Sequence, residues 1–82
     1  MSATMRAKMK LTKVERYENS ESWTFTAVCK STSYPADGTD EDNTFALFSP
    51  SAELKMSCTN PALLGKFNPG ETYYVDFSPA DA

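Results

Sequence analysis

Histidine is absent from this chain. That removes the residue most often used as a general base near neutral pH, and the commonest metal ligand. Only two cysteines are present, Cys29 and Cys58, too few for a zinc site built from cysteine and histidine. Neither has a histidine to activate it as a nucleophile. Glycine is scarce, with Gly38, Gly65 and Gly70 too dispersed for a phosphate-binding loop. No run approaches the ~20 apolar residues of a membrane span. No secretory leader is legible at the start, so the expectation is a soluble cytosolic product with reduced thiols. Cys29 and Cys58 then read as small core residues, with a disulfide between them left open. Paired carboxylates are formally available, but the acids crowd into one polar loop without an apolar pocket to raise a pKa. These absences point away from an enzyme, and no cofactor, metal or membrane partner is expected.

What is present fits one domain. A chain of 82 residues buries only roughly 60% of its unfolded surface, so its core is thin. Proteins of this size often gain stability by oligomerising or by docking onto something larger. The net charge of −3 conceals an asymmetry. Arg6, Lys8, Lys10, Lys13 and Arg16 face only Glu15 within residues 1–16, and the acids dominate the remainder. Such polarity suits contacts between neighbouring subunits, and the acidic remainder disfavours general nucleic-acid binding.

Met5, Ala7, Met9 and Leu11 alternate with Arg6, Lys8 and Lys10, the period-2 pattern of a half-buried strand. The phase slips before Val14, which predicts a β-bulge near Thr12 and Lys13. Residues 18–22 read as a turn. Residues 23–30 read as a second strand, with Trp23, Phe25, Ala27 and Cys29 on one face, forming a hairpin with the first. Residues 31–43 are a polar loop, long enough to suggest function. Residues 44–48 and 52–58 read as two further strands joined by a tight hairpin around Pro50. Asn60, Pro61 and Gly65 punctuate a single helical turn. Asn68-Pro69-Gly70-Glu71 is a turn, and residues 72–77 are the last strand. The expectation is all-β: a small five-stranded barrel or curled β-sandwich with one short helical turn between strands 4 and 5. A barrel like the oligonucleotide-binding fold is one candidate, although that fold sets its helix earlier. The domain is placed at residues 5–79, with an N-terminal extension at 1–4 and a tail at 80–82.

Two charged features are candidate partner-binding surfaces. Arg6, Lys8 and Lys10 stand on one strand face, about 7 Å apart per step. Their bland reading is charge that protects an exposed strand from aggregation. Asp37, Asp40, Glu41 and Asp42 form an acidic cluster whose spacing does not match an EF-hand loop. Its bland reading is a solvated loop. Tyr34, with Tyr17 and Tyr74, is a candidate surface aromatic. Trp23, Phe25, Tyr73 and Phe77 alternate as core residues should.

From Met5 onward the chain resembles a group of small proteins of tailed bacteriophages. The resemblance lies in Met5-Arg6-Ala7-Lys8-Met9-Lys10, in Asp40-Glu41-Asp42-Asn43-Thr44-Phe45, and in the segment from Phe48 to Leu54. It extends through Asn60-Pro61-Ala62 and the closing stretch from Phe67 to Pro79. It carries no catalytic motif. It implies a phage-encoded protein found in the virion, and in the host bacterial cytoplasm during assembly. The expected role is a virion-associated structural protein, chiefly capsid decoration or stabilisation through contacts with a capsid or other virion protein, with homo-oligomerisation open. An anti-defence or host-factor inhibitor is the alternative, and a nucleic-acid-binding accessory protein the second.

Overall fold

The computed structural model describes residues 4–30 and 32–81. Most of the expected N-terminal extension (residues 1–3) and the tail residue Ala82 lie outside them. The chain is all-β. Four strands, β1 (Met5–Arg16), β2 (Glu21–Ala27), β3 (Glu53–Cys58) and β4 (Thr72–Phe77), form one antiparallel sheet in the order β3-β2-β1-β4.

The alternation in β1 does what its period requires. Ala7, Met9 and Leu11 are buried on one face, while Arg6, Lys8 and Lys10 take the other. The register against β2 shifts between Leu11 and Lys13, so Thr12 is the extra residue of a bulge. Its hydroxyl donates to the Thr24 carbonyl at 3.1 Å. The bulge restores phase: Val14 pairs with Trp23 and joins the apolar face. Tyr17 N donates to Ser20 O at 2.8 Å and closes the β1–β2 hairpin.

Four expectations are corrected. The strand expected at residues 44–48, third of the five, does not form, because its backbone groups bond to β1 and within the long loop. Thr44 N donates to Arg6 O, Phe48 N donates to Gly38 O, and Phe48 sits at φ 60°. The hairpin around Pro50 fails with it: β3 pairs with β2, Leu54 opposite Phe25. The barrel and the curled sandwich therefore give way to a single open sheet whose edges are β3 and β4. Residues 60–65 make consecutive turns and no helix. Asn60 Oδ1 accepts from Ala62 N at 3.0 Å, but Lys66 N returns to Leu63 O at 3.1 Å and Gly65 lies at φ 77°. The capping residues were in place, but a single turn does not recover the cost of helix nucleation.

The core consists of Ala7, Met9, Leu11, Trp23, Phe25 and Cys58. The chain after β3 covers it in place of a second sheet. Phe67 lies on Trp23 with centroids 4.5 Å apart, and Tyr73 meets both Phe67 (5.3 Å) and Phe25 (5.9 Å). Cys29, expected in the core, is exposed, because β2 ends at Ala27 and the alternation stops there.

Gly38 holds the long loop closed. Its φ of 75° favours glycine, and a Cβ there would lie 2.6 Å from the Phe48 ring. Phe48 is half exposed and can swing outward, so the backbone strain dominates. Gly38→Ala is expected to destabilise the fold by about 1–2 kcal/mol in urea denaturation, with the Phe48 ring resonances displaced.

Candidate functional site

The sheet is staggered. β4 pairs with Met5–Lys10 of β1, whereas β2 pairs only from Met9 onward. The β2-facing edge of Arg6 and Lys8 would thus lack a partner strand. The long loop supplies the missing groups. Arg6 N donates to Thr44 Oγ1 at 2.8 Å, and Lys8 N donates to Asn43 Oδ1 at 2.9 Å. Asn43 Nδ2 donates to Val28 O at 2.9 Å and to Asp40 Oδ2 at 3.2 Å. Asn43 is 1% exposed. One side-chain amide thereby bridges the backbones of β1 and the end of β2 as a short strand would.

This docking brings together charges far apart in sequence. Asp42 Oδ2 lies 3.6 Å from Lys8 Nζ, and its Oδ1 accepts from the Tyr74 hydroxyl at 3.0 Å. Arg6 forms a two-point pair with Asp76, at 2.6 and 3.0 Å, and its guanidinium stacks 4.3 Å from the Tyr74 ring centroid. The hydrogen bond from Arg6 holds the Asp76 carboxyl below the usual carboxylate range, against partial desolvation. The Asp40 carboxyl is likewise lowered, by the Asn43 amide first and against burial, with the Asp42 N–H adding to it.

The remaining candidates are dispersed. Asp37 caps its own turn, accepting from the Thr39 hydroxyl (2.8 Å) and N–H (3.1 Å), which lower its pKa in that order. Glu41 is exposed beside Thr4, Met5, Arg6 and Thr44. Tyr34 packs edge-on against Phe48, centroids 5.9 Å apart, and its hydroxyl accepts from Lys30 N at 3.4 Å. Lys10 is exposed and makes no ion pair among the described residues. Among the described residues no group of acids and cysteines gathers as a metal site, and no helix is long and apolar enough to cross a membrane.

Two features escaped the sequence reading. Glu21, placed there in a turn, opens β2 and is 3% exposed. Its carboxylate accepts from Trp23 Nε1 (2.9 Å), Gly65 N (2.8 Å) and Arg16 Nε (3.0 Å). Arg16 also donates to Phe67 O at 3.2 Å, so the pair clamps the covering segment onto the sheet. The available signal was the period itself, since Glu21 shares the Trp23 face by alternation. The second feature is apolar surface. Met5, Ala7, Met9, Phe45, Ala52, Leu54 and Phe77, together with Glu53, line a cleft of about 120 Å³, and Leu47, Phe48, Met56 and Phe77 are 47–63% exposed. The molecule measures 48 × 33 × 15 Å with a radius of gyration of 14.7 Å, against about 12 Å for a compact chain of this length. The chain matches no known protein-family model, no curated protein and no solved structure.

Proposed function

We propose that the chain is a non-catalytic docking domain, a virion-associated structural protein that decorates or stabilises a phage capsid through protein–protein contacts. The observation that carries the docking reading is surface in excess of what the chain needs. Its accessible area of 5760 Å² exceeds the roughly 4,900 Å² expected for a folded monomer of this mass, and part of the excess is apolar. A thin plate with an uncovered apolar cleft gains by lying flat on a larger assembly. The phage setting rests on the sequence resemblance. The nucleic-acid reading is weakened by the ion pairs, since Arg6 and Lys8 already hold Asp76 and Asp42 and a phosphate would have to displace them.

Mass spectrometry of purified particles of the encoding phage tests the proposal. The expected result is presence in a fixed ratio to the major capsid protein. Absence from mature particles, with the chain found only in infected-cell extract, would overturn it in favour of the inhibitor reading.

A further inference from the structure

We propose that β3 is the seam of a symmetric dimer, in which two copies of this chain pair antiparallel along their β3 edges with Leu54 of each copy at the two-fold axis. The proposal concerns the isolated chain and does not rest on the capsid reading.

The seam follows from which backbone groups are free. Ala27 N donates to Ala52 O at 3.0 Å, and the register continues with Thr26 opposite Glu53 and Phe25 opposite Leu54. Backbone groups alternate sides along a strand, so those of Ala52, Leu54 and Met56 face β2. Those of Glu53, Lys55 and Ser57 face outward. Among the described residues no strand lies beyond them, and all three residues are exposed. Of the usual protections the edge carries only charge. It carries no proline and no bulge, and its two charges are of opposite sign, so they do not repel a second copy uniformly.

Charge then selects one register. Outward-facing groups must meet outward-facing groups, so the odd-numbered residues of one copy pair with those of the other. Centring the two-fold on Lys55 sets like charges opposite each other, and centring it on Glu53 does the same. Centring it on Met56 leaves Lys55 opposite Ser57, with no charge pair. Centring it on Leu54 sets Glu53 of each copy opposite Lys55 of the other, and each such pair exchanges both backbone hydrogen bonds. Lys55 Nζ already lies 3.7 Å from Glu53 Oε1 within one chain, both side chains exposed. The two-fold turns this pair into a ring of four alternating charges on the polar face. On the apolar face Leu54 meets its own copy, and the exposed Met56 covers Ala52 of the other. The β4 edge offers no such match. Its outward-facing residues are Thr72, Tyr74 and Asp76, and the last two are already engaged by Arg6. Pairing β3 with β4 would be head-to-tail, and open-ended unless the rotation closes a ring, whereas β3 with β3 closes.

A seam of this length falls below the ~1,200 Å² of a standard interface, so association is expected in the micromolar range or weaker. Sedimentation equilibrium of the full chain at low salt, up to about 1 mM, is expected to show a monomer–dimer equilibrium. Lys55→Glu and Glu53→Lys each place like charges opposite one another twice, and each is expected to weaken the dimer about tenfold or more. The double exchange E53K/K55E restores the alternation and is expected to recover dimerisation. Lys55→Pro removes an outward N–H without taking a bond from the β2 ladder, and is expected to abolish the dimer while the thermal transition is retained. A chain that stays monomeric to the highest concentration overturns the proposal. So does a dimer indifferent to both single reversals, or a folded double exchange that fails to recover it.

Discussion

Glu21→Ala is expected to lower the thermal midpoint by on the order of 10–15 °C, followed by the fluorescence of Trp23. The side chain is buried at the start of β2 and serves three donors at once. Removing it leaves the Trp23 indole N–H and the Gly65 amide without acceptors, and it leaves Arg16 without its counter-charge. It also frees the covering segment that carries Phe67 over Trp23, so polar and apolar losses fall in one place. Glu21→Gln retains the volume but turns one acceptor oxygen into a donor facing N–H groups, so an intermediate loss is expected. Arg16→Ala is expected to cost least of the three, because its guanidinium is half exposed and water replaces part of what is lost.

The same site sets an acid dependence. The Glu21 carboxyl is held below its ordinary value of 4.5, by the Trp23 indole first, then by the Gly65 amide and Arg16, against desolvation. A carboxyl with a lowered folded pKa binds protons more readily in the unfolded chain. Its stabilisation is therefore complete above the ordinary value and is lost as the pH falls through the lowered one. Asp37, Asp40 and Asp76, lowered from 3.8, act in the same sense. Stability should fall with acid below these ordinary values, and less steeply in Glu21→Ala. Equal slopes in the two proteins would show that Glu21 does not contribute.

Asn43→Ala is expected to destabilise the fold by about 2–4 kcal/mol in urea denaturation. The substitution strands the Lys8 amide and the Val28 carbonyl, which Asn43 bonds in place of a strand partner, and removes a donor to Asp40. Asn43→Asp is expected to be nearly as costly. It can still accept from Lys8, but it offers nothing to Val28 and sets a second carboxylate against Asp40. Amide exchange of Lys8 should accelerate in Asn43→Ala before that of Leu11, which lies at the centre of the core. Equal protection at Lys8 in the wild type and Asn43→Ala would show that the amide is held by something else.

Legibility in the sequence followed the range of the forces involved. The first strand, its bulge, the hairpin to β2, β3 and the last strand were readable, because period and β-branched or aromatic content act within a few residues. The strand expected at residues 44–48 was misread because Phe45 and Leu47 supply an apolar alternation without a strand to pair with. The acidic cluster and the basic row were both found, but their relation was hidden. Nothing within residues 31–43 states that Asn43 will substitute for a strand, and so bring Asp42 to Lys8 and Tyr74. Glu21 was missed at a strand boundary, where the period signal is weakest.

The sequence by itself determined an all-β chain without histidine, with a basic alternating strand and an acidic loop. Only the tertiary structure decided that the two charged features meet at one pair, Lys8 with Asp42, while Arg6 turns to Asp76. It also decided that the sheet stays open, with apolar surface and the β3 edge uncovered among the described residues. The physical reason is that pairing between strands and the satisfaction of buried polar groups depend on residues brought together from distant parts of the chain. A local pattern can name the strands, but it cannot say which edges remain free.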